Sequence, residues 1–272
     1  MEIVCREFPK FMGLNMHKII FPRNIQRQFP RPHYDYVFTI FRSLECDIKF
    51  EIRNEFAIDL DGKRFYIDYS DFKKLDTEQK PLFKFHYRGR RKNVFAFPPI
   101  SFNNWRLYNR LKDNIKYKAE GHISSRQKKD YKIYHIMREK IQQFLSDTFK
   151  NVQTEIIPNR VKYWNEINNC SVAVFVPGAT NNMLDRAQWQ YMAFGCCTIS
   201  PRLPEILPFN KKIISDVHYI KCKDDYSDLK EKVEGCQENP KKCIEIGKNA
   251  QKLFLDTCTP EKILKWMEKC LK

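Results

Sequence analysis

The sequence predicts an α/β protein of two units: a strand-rich one over 1–112 and a Rossmann-like one over 113–258. Three observations carry this reading. The chain has 272 residues, enough for two domains of roughly 100–150 residues each. From about residue 113 strand-like and helix-like segments alternate, the grammar of βαβ units around a parallel sheet. SVAVFVPG, at 171–178, is a continuous apolar run of the kind a strand carries when both faces of its sheet are covered. With 42% hydrophobic and 14% aromatic residues the chain has the means to bury a core, which excludes a disordered class.

Taken in order, residues 1–33 read as an irregular basic arm punctuated by Pro9, Pro22, Pro30 and Pro32. YDYVFTIF, DIKFEIR, FAIDL and KRFYIDY are β-branched and aromatic runs expected to be strands. Asp61-Gly62 between the last two supplies the positive-φ pair of a type I′ hairpin turn. PLFKFHYR and NVFAFPPI continue the strands, and a short helix is expected over 104–112. NIKYKAEG then reads as a strand followed by the loop HISSRQ. In 128–149, Ile133, Ile136, Met137, Ile141, Phe144 and Leu145 recur at three- and four-residue spacing, an amphipathic helix.

NVQTEIIP is expected to be a strand and VKYWNEINNC a helix. MLDRAQWQYMAF reads as a helix stopped by Gly195, with CCTISP the next strand. KIIS and VHYIKC read as short strands, and YSDLKEKVEGC and PKKCIEIGKNAQKLFL as helices. A final helix opens with Thr259 as N-cap, Pro260 at N1 and Glu261 at N2; Lys262 at N3 leaves the capping box incomplete. No internal repeat or low-complexity segment is seen.

Forty-nine Lys and Arg against thirty-three Asp and Glu give a net charge of +16. Such a surplus calls for an anionic partner or for solubility, and nucleic acid, a nucleotide, an anionic membrane and an acidic glycan all qualify. No apolar run is long enough to span a bilayer, so no membrane span is expected. MEIVCREFPKFMGLN has no apolar leader core, so a cytoplasmic location is expected. The ten cysteines include no CxxC spacing and read as reduced thiols acting as small hydrophobes, with no metal site expected.

Arg186 stands out. It heads an otherwise apolar helix just after VFVPG, a strand end at the edge where open parallel sheets bind ligands. The turn holding Gly178 leads to Asn181 and Asn182, of which one is expected to cap the helix. A helix N-terminus favours anions, and a guanidinium there can fork onto two phosphate oxygens. The alternative is a carboxylate elsewhere in the fold. Neither a Walker loop nor GxGxxG occurs. A second cluster, EGHISSR, offers Gly121, His122, Ser124, Ser125 and Arg126 on the same predicted edge.

Four stretches then carry a resemblance. LDRAQWQYMAFGCCTIS, VHYIKCKDDYSDLKEKV, NPKKCIEIGKNAQKLFLDTCTPEKILKW and GHISSR resemble, in that family's terms, the Arg-containing helix, the HY stretch, the terminal helices and the phosphate loop of glycosyltransferase family 90. This capsule-associated family includes O-glucosyl- and xylosyltransferases of the GT-B fold. Lys221 stands where the family has Pro, and the family's aromatic residues before His218 and Tyr219 are missing. The small size and absent leader resemble compact transferases of large DNA viruses.

The resemblance implies two Rossmann-like domains facing a cleft, with the closing segment, 259–272, returning to the first unit. It also implies transfer of a sugar, xylose or glucose, from a UDP-sugar to a glycan or glycoprotein acceptor, with inversion and without a metal or other cofactor. Arg186 and Arg126 would hold the diphosphate, with Gly178, Asn182, His218 and Tyr219 nearby. The acceptor base would come from the first unit: Asp68 or Asp71, with Asp35 in reserve. Asp224 and Asp225 read as solvated. Two rival readings stand beside this one. FKFHYRGRRK, at 83–92, interleaves aromatics with bases as a single-stranded nucleic-acid binder does. A non-catalytic sugar- or nucleotide-binding protein is the other.

Overall fold

The computed structural model describes residues 16–23, 31–53, 55–68, 81–85, 87, 89, 91–98, 102–112, 121–127, 132–177, 184–203 and 211–272. They form a mixed α/β protein with two sheets, one mixed and one all parallel.

The first sheet begins inside the segment read as an irregular arm. Strand β1 (Lys18–Pro22) leads to helix α1 (Arg31–Ser43) and returns to β2 (Asp47–Glu51), parallel to β1 with Lys18 opposite Asp47. YDYVFTIF is therefore helical, a correction to the strand reading. Among its described side chains Tyr36, Val37, Ile40 and Phe41 are buried. They fall four apart in pairs, a helical stripe that β-branched and aromatic composition disguised.

Strands β3 (Ile58–Leu60) and β4 (Lys63–Asp68) form the expected hairpin, with φ of 50° at Asp61 and 82° at Gly62, as a type I′ turn requires. Strands β5 (Leu82–Phe85) and β6 (Val94–Phe97) run parallel to β4, completing the order β2-β1-β3-β4-β5-β6. The core behind this sheet is rich in Phe: Phe65 meets Phe83 edge-on with ring centroids 5.6 Å apart.

The second sheet strings β7 (His122–Ser124), α3 (Lys132–Thr148), β8 (Val152–Gln153), α4 (Arg160–Ile167), β9 (Cys170–Val174), α5 (Arg186–Ala193), β10 (Cys197–Ser200) and β11 (Ile220–Lys221). All its pairings are parallel, in the order β11-β10-β9-β7-β8. The chain thus starts centrally, steps out to one side, then returns and builds to the other, the doubly wound flavodoxin-like order. HIS is a strand, not part of the loop expected there, and KIIS makes only one isolated bridge, Ser215 to Tyr219. NIKYKA, the predicted strand before it, lies outside the described residues.

Among the described residues four further helices complete the fold. Trp105, Leu107 and Tyr108 of α2 (Trp105–Lys112) are buried in the second sheet's core, and the Tyr108 hydroxyl donates to the Ala193 carbonyl at 3.2 Å. The helix expected to belong to the first unit thus packs with the second. Helices α6 (Leu229–Glu238) and α7 (Pro240–Thr257) cover the second sheet, and α8 (Pro260–Cys270) buries Ile263, Leu264 and Met267 in the first core. Trp266 of α8 donates its indole N–H to the Ala96 carbonyl at 2.9 Å. Among the described residues no helix is long and apolar enough to cross a membrane.

Candidate anion site at the carboxyl edge

In a doubly wound sheet the crevice opens where the chain leaves neighbouring strands in opposite directions, here between β7 and β9. The Gln127 side chain bridges it. Its Nε2 donates to the Val176 carbonyl at 2.7 Å, and its Oε1 accepts from the Val176 N–H at 2.6 Å. Gln142, from α3, donates to the Ser125 carbonyl at 2.7 Å. Two buried glutamines thus satisfy backbone groups that leave the sheet just past its strands.

Helix α5 starts at this edge. Asp185 is its N-cap, and its Oδ1 accepts from the Ala187 N–H at 2.7 Å. This corrects the expectation that Asn181 or Asn182 caps the helix; the helix begins later, and Asn181, Asn182 and Gly178 lie outside the described residues. The other Asp185 oxygen lies 3.4 Å from the guanidinium of Arg138, which also donates to the Val176 carbonyl at 3.3 Å.

Arg186 is the first helical residue. Its guanidinium lies over the Tyr36 ring, 4.5 Å from the centroid, and Arg160 at the head of α4 lies 6.0 Å from the same ring. Tyr36 comes from α1 of the first sheet. The cation therefore has an aromatic face for a neighbour, a cation–π arrangement that neither sequence alternative contained. A helix N-terminus, two guanidiniums and a ring from the other half of the fold converge here.

The second predicted cluster is used differently. Arg126, only 6% exposed, donates to the Glu155 carbonyl at 2.9 Å and to Gln153 Oε1 at 3.1 Å. The Ser124 hydroxyl shares a 2.6 Å hydrogen bond with that of Tyr191, and Ser125 is buried. Burial pushes the Tyr191 hydroxyl well above the ordinary range. His122 is buried at the amino end of β7, and a Cβ on Gly121 would meet Ser171 N at 2.6 Å, so both lie at the opposite edge. Gly121 and His122 thus lie away from the ligand edge, which corrects their placement beside Arg186, whereas Ser124, Ser125 and Arg126 lie at the carboxyl end of β7 with their polar groups engaged by neighbouring elements.

His218 and Tyr219 are also engaged locally. Ile214 N–H donates to His218 Nδ1 at 3.0 Å, and Leu203 N–H donates to the Tyr219 hydroxyl at 3.2 Å. Burial lowers the His218 pKa and raises that of Tyr219. Together the two residues tie the segment after β10 to the segment before β11.

Of the expected bases, Asp68 ends β4 with its carboxylate 3.0 Å from the Lys84 ammonium, directly across the strand pair. Lys84 is only 3% exposed, so this pair is set into the sheet. Asp71 lies outside the described residues, as does the side chain of Asp35, whose backbone belongs to α1. Asp224 and Asp225 are exposed. Phe83 and Phe85, counted in the stacking motif of the nucleic-acid reading, are buried in the first core, while Arg91 and Lys92 are exposed. Those two rings have no face to offer a base.

Among the described residues two groups of side chains able to ligate a metal come together that no local spacing announced: His17, Asp61 and Glu268 near the surface, and Cys197, Cys236 and Cys243 in the interior. Tyr36, Gln127, Arg138 and Asp185 were likewise missed as members of the carboxyl edge. Only Asp185, at the residue before a helix, carried a local signal.

No protein-family model matches the chain. A stretch of 84 residues is 32% identical to Uncharacterized protein 179R of Invertebrate iridescent virus 6, covering 28% of this chain and 7% of that protein. The chain therefore matches a small part of a much longer viral protein.

Proposed function

We propose that the chain is a nucleotide-sugar-dependent glycosyltransferase of GT-B type, taking UDP-xylose or UDP-glucose as donor and a glycan or glycoprotein as acceptor. One observation carries the reading. Arg186 heads α5 beside the switch point of a parallel sheet, with its guanidinium against a ring from the other half of the fold. A donor diphosphate at that edge meets the positive end of the helix dipole and a planar cation that can take two oxygens at once. Charge growing on the leaving diphosphate is stabilised where it develops, an electrostatic contribution to the rate. In this reading Gly178 and Asn182 belong to the donor loop. Arg126 is a structural cation, and Asp68 is the candidate base, its carboxylate oriented by Lys84.

The test is calorimetric titration with UDP, then UDP-xylose, UDP-glucose and GDP-fucose, in EDTA at moderate salt. The expected result is UDP binding that weakens at least about tenfold, or 1.4 kcal/mol, in Arg186→Ala, with the fold intact by circular dichroism. Absence of binding to every nucleotide sinks the proposal. Salt-sensitive capture of a single-stranded oligonucleotide instead would point to the nucleic-acid reading.

A further inference from the structure

Three of the ten cysteines meet in the interior, Cys197 from far along the chain and Cys236 and Cys243 from either side of one helix turn-around. Cys197 is the first residue of β10, Cys236 lies in the last turn of α6, and Cys243 lies in the first turn of α7. Their sulfurs all lie within 4.8 Å of one another, and the residues are 1%, 3% and 7% exposed. We infer that Cys197, Cys236 and Cys243 form a binding site for a thiophilic closed-shell cation, Zn(II) or Cu(I).

The geometry fits such an ion. A metal about 2.3 Å from each of three sulfurs sets those sulfurs about 4 Å apart, so small side-chain movements complete the triangle. The donor set is soft, which selects zinc and copper(I) over calcium or magnesium. Tyr226, Leu229, Val233 and Ile246 belong to the same buried cluster and supply a dry apolar wall.

Cys243 lies at the N-terminal end of α7, where the helix dipole favours a thiolate. The thiols release protons on loading, so affinity rises with pH. The site lies at the amino end of β10, opposite the carboxyl edge that carries Arg186. An ion here clamps the α6–α7 elbow to the sheet and takes no part in sugar transfer.

The experiment uses the full chain, reduced and handled without oxygen. Zn(II) is titrated against a chromophoric chelator, and Cu(I) separately against a Cu(I)-selective one. Expected are a single tight equivalent of one of the two ions, a raised melting temperature, and X-ray absorption giving three sulfur neighbours at about 2.3 Å. Cys236→Ser and Cys243→Ser should each weaken binding at least tenfold, while Cys46→Ser, in the first core, leaves it unchanged. The absorption measurement on the unaltered chain decides the matter even if a variant fails to fold. Failure of both ions to bind stoichiometrically, or fewer than three sulfurs around the bound ion, overturns the inference. So does mild oxidation that links two of the three as a disulfide in a chain the ions do not protect.

Discussion

At the residue scale the most consequential contacts join positions far apart in sequence. Gln127 and Val176 exchange two hydrogen bonds across the crevice, and nothing near either residue announces the other. Replacing Gln127 with Leu leaves the buried Val176 N–H without that acceptor and its carbonyl with one donor fewer. The expected cost is on the order of 1–3 kcal/mol, read as a lower midpoint in urea with an unchanged slope. Asp68 is a second case. Asp68→Asn removes a charge facing the buried Lys84, at a cost of up to about 3–5 kcal/mol, whereas Asp68→Asn with Lys84→Met should recover most of the stability. Loss of the proposed transferase activity in both variants, with stability restored in the second, would assign the carboxylate to chemistry.

Two titrations give stability a defined pH dependence. Burial lowers the His218 pKa from its ordinary 6.5, so the folded state binds its proton later than the unfolded chain. Its contribution is present above that value and is lost as pH falls. His218→Asn keeps an acceptor for the Ile214 N–H and should remove this phase from a pH series of melting temperatures. For Asp59, burial raises the pKa, but hydrogen bonds from Arg53 and Arg64 outweigh it, and the net direction is down from 3.8. That carboxylate stabilises the fold at neutral pH, and its contribution fades in stronger acid.

At the element scale, periodicity was legible where helices are long and strands fully buried. SVAVFVPG, the 128–149 helix and the closing helix could be read from apolar spacing and caps alone. Segment 34–41 could not, because residues favoured in strands there line a helix whose face is set by the sheet it covers. The HISSRQ segment was misread only over His122–Ser124, which form β7: its serines, arginine and glutamine suggest a loop, yet they are buried because partners elsewhere satisfy them.

The close approach of α7 to the turn after α5 was also invisible in sequence. Gly195, with φ of 72°, turns the chain there. A Cβ at Gly247 would stand 2.8 Å from the Gly195 carbonyl carbon and nearer still to its oxygen. Gly247→Ala should therefore destabilise the fold by several kcal/mol despite the better helix propensity of Ala, a sign that thermal unfolding tests directly. Cys243 lies one turn before Gly247 on the same helix. Withdrawal of α7 would also open the thiol triangle, so Gly247→Ala should weaken its metal binding.

At the scale of the whole molecule, the membership of one helix was misread and that of another was anticipated. Helix α2 packs in the second core although it follows the first sheet directly, whereas α8 packs in the first, where the resemblance had placed the closing segment. Assignments of this kind depend on which apolar face finds which, and local pattern holds no record of that. The carboxyl edge was half legible: Arg186 was found from its place before an apolar helix, while its aromatic neighbour on another element was not.

The position of α8 has a temporal consequence. A chain is made from its amino end, and residues 260–270 emerge only after every strand of the second sheet. Ile263 and Met267 are fully buried against the first sheet, so its core cannot close until they arrive. The half made first is thus the half finished last. A nascent chain stalled before residue 260 would expose the Phe-rich face of the first sheet, and its capture by a chaperone should end once α8 has cleared the ribosome.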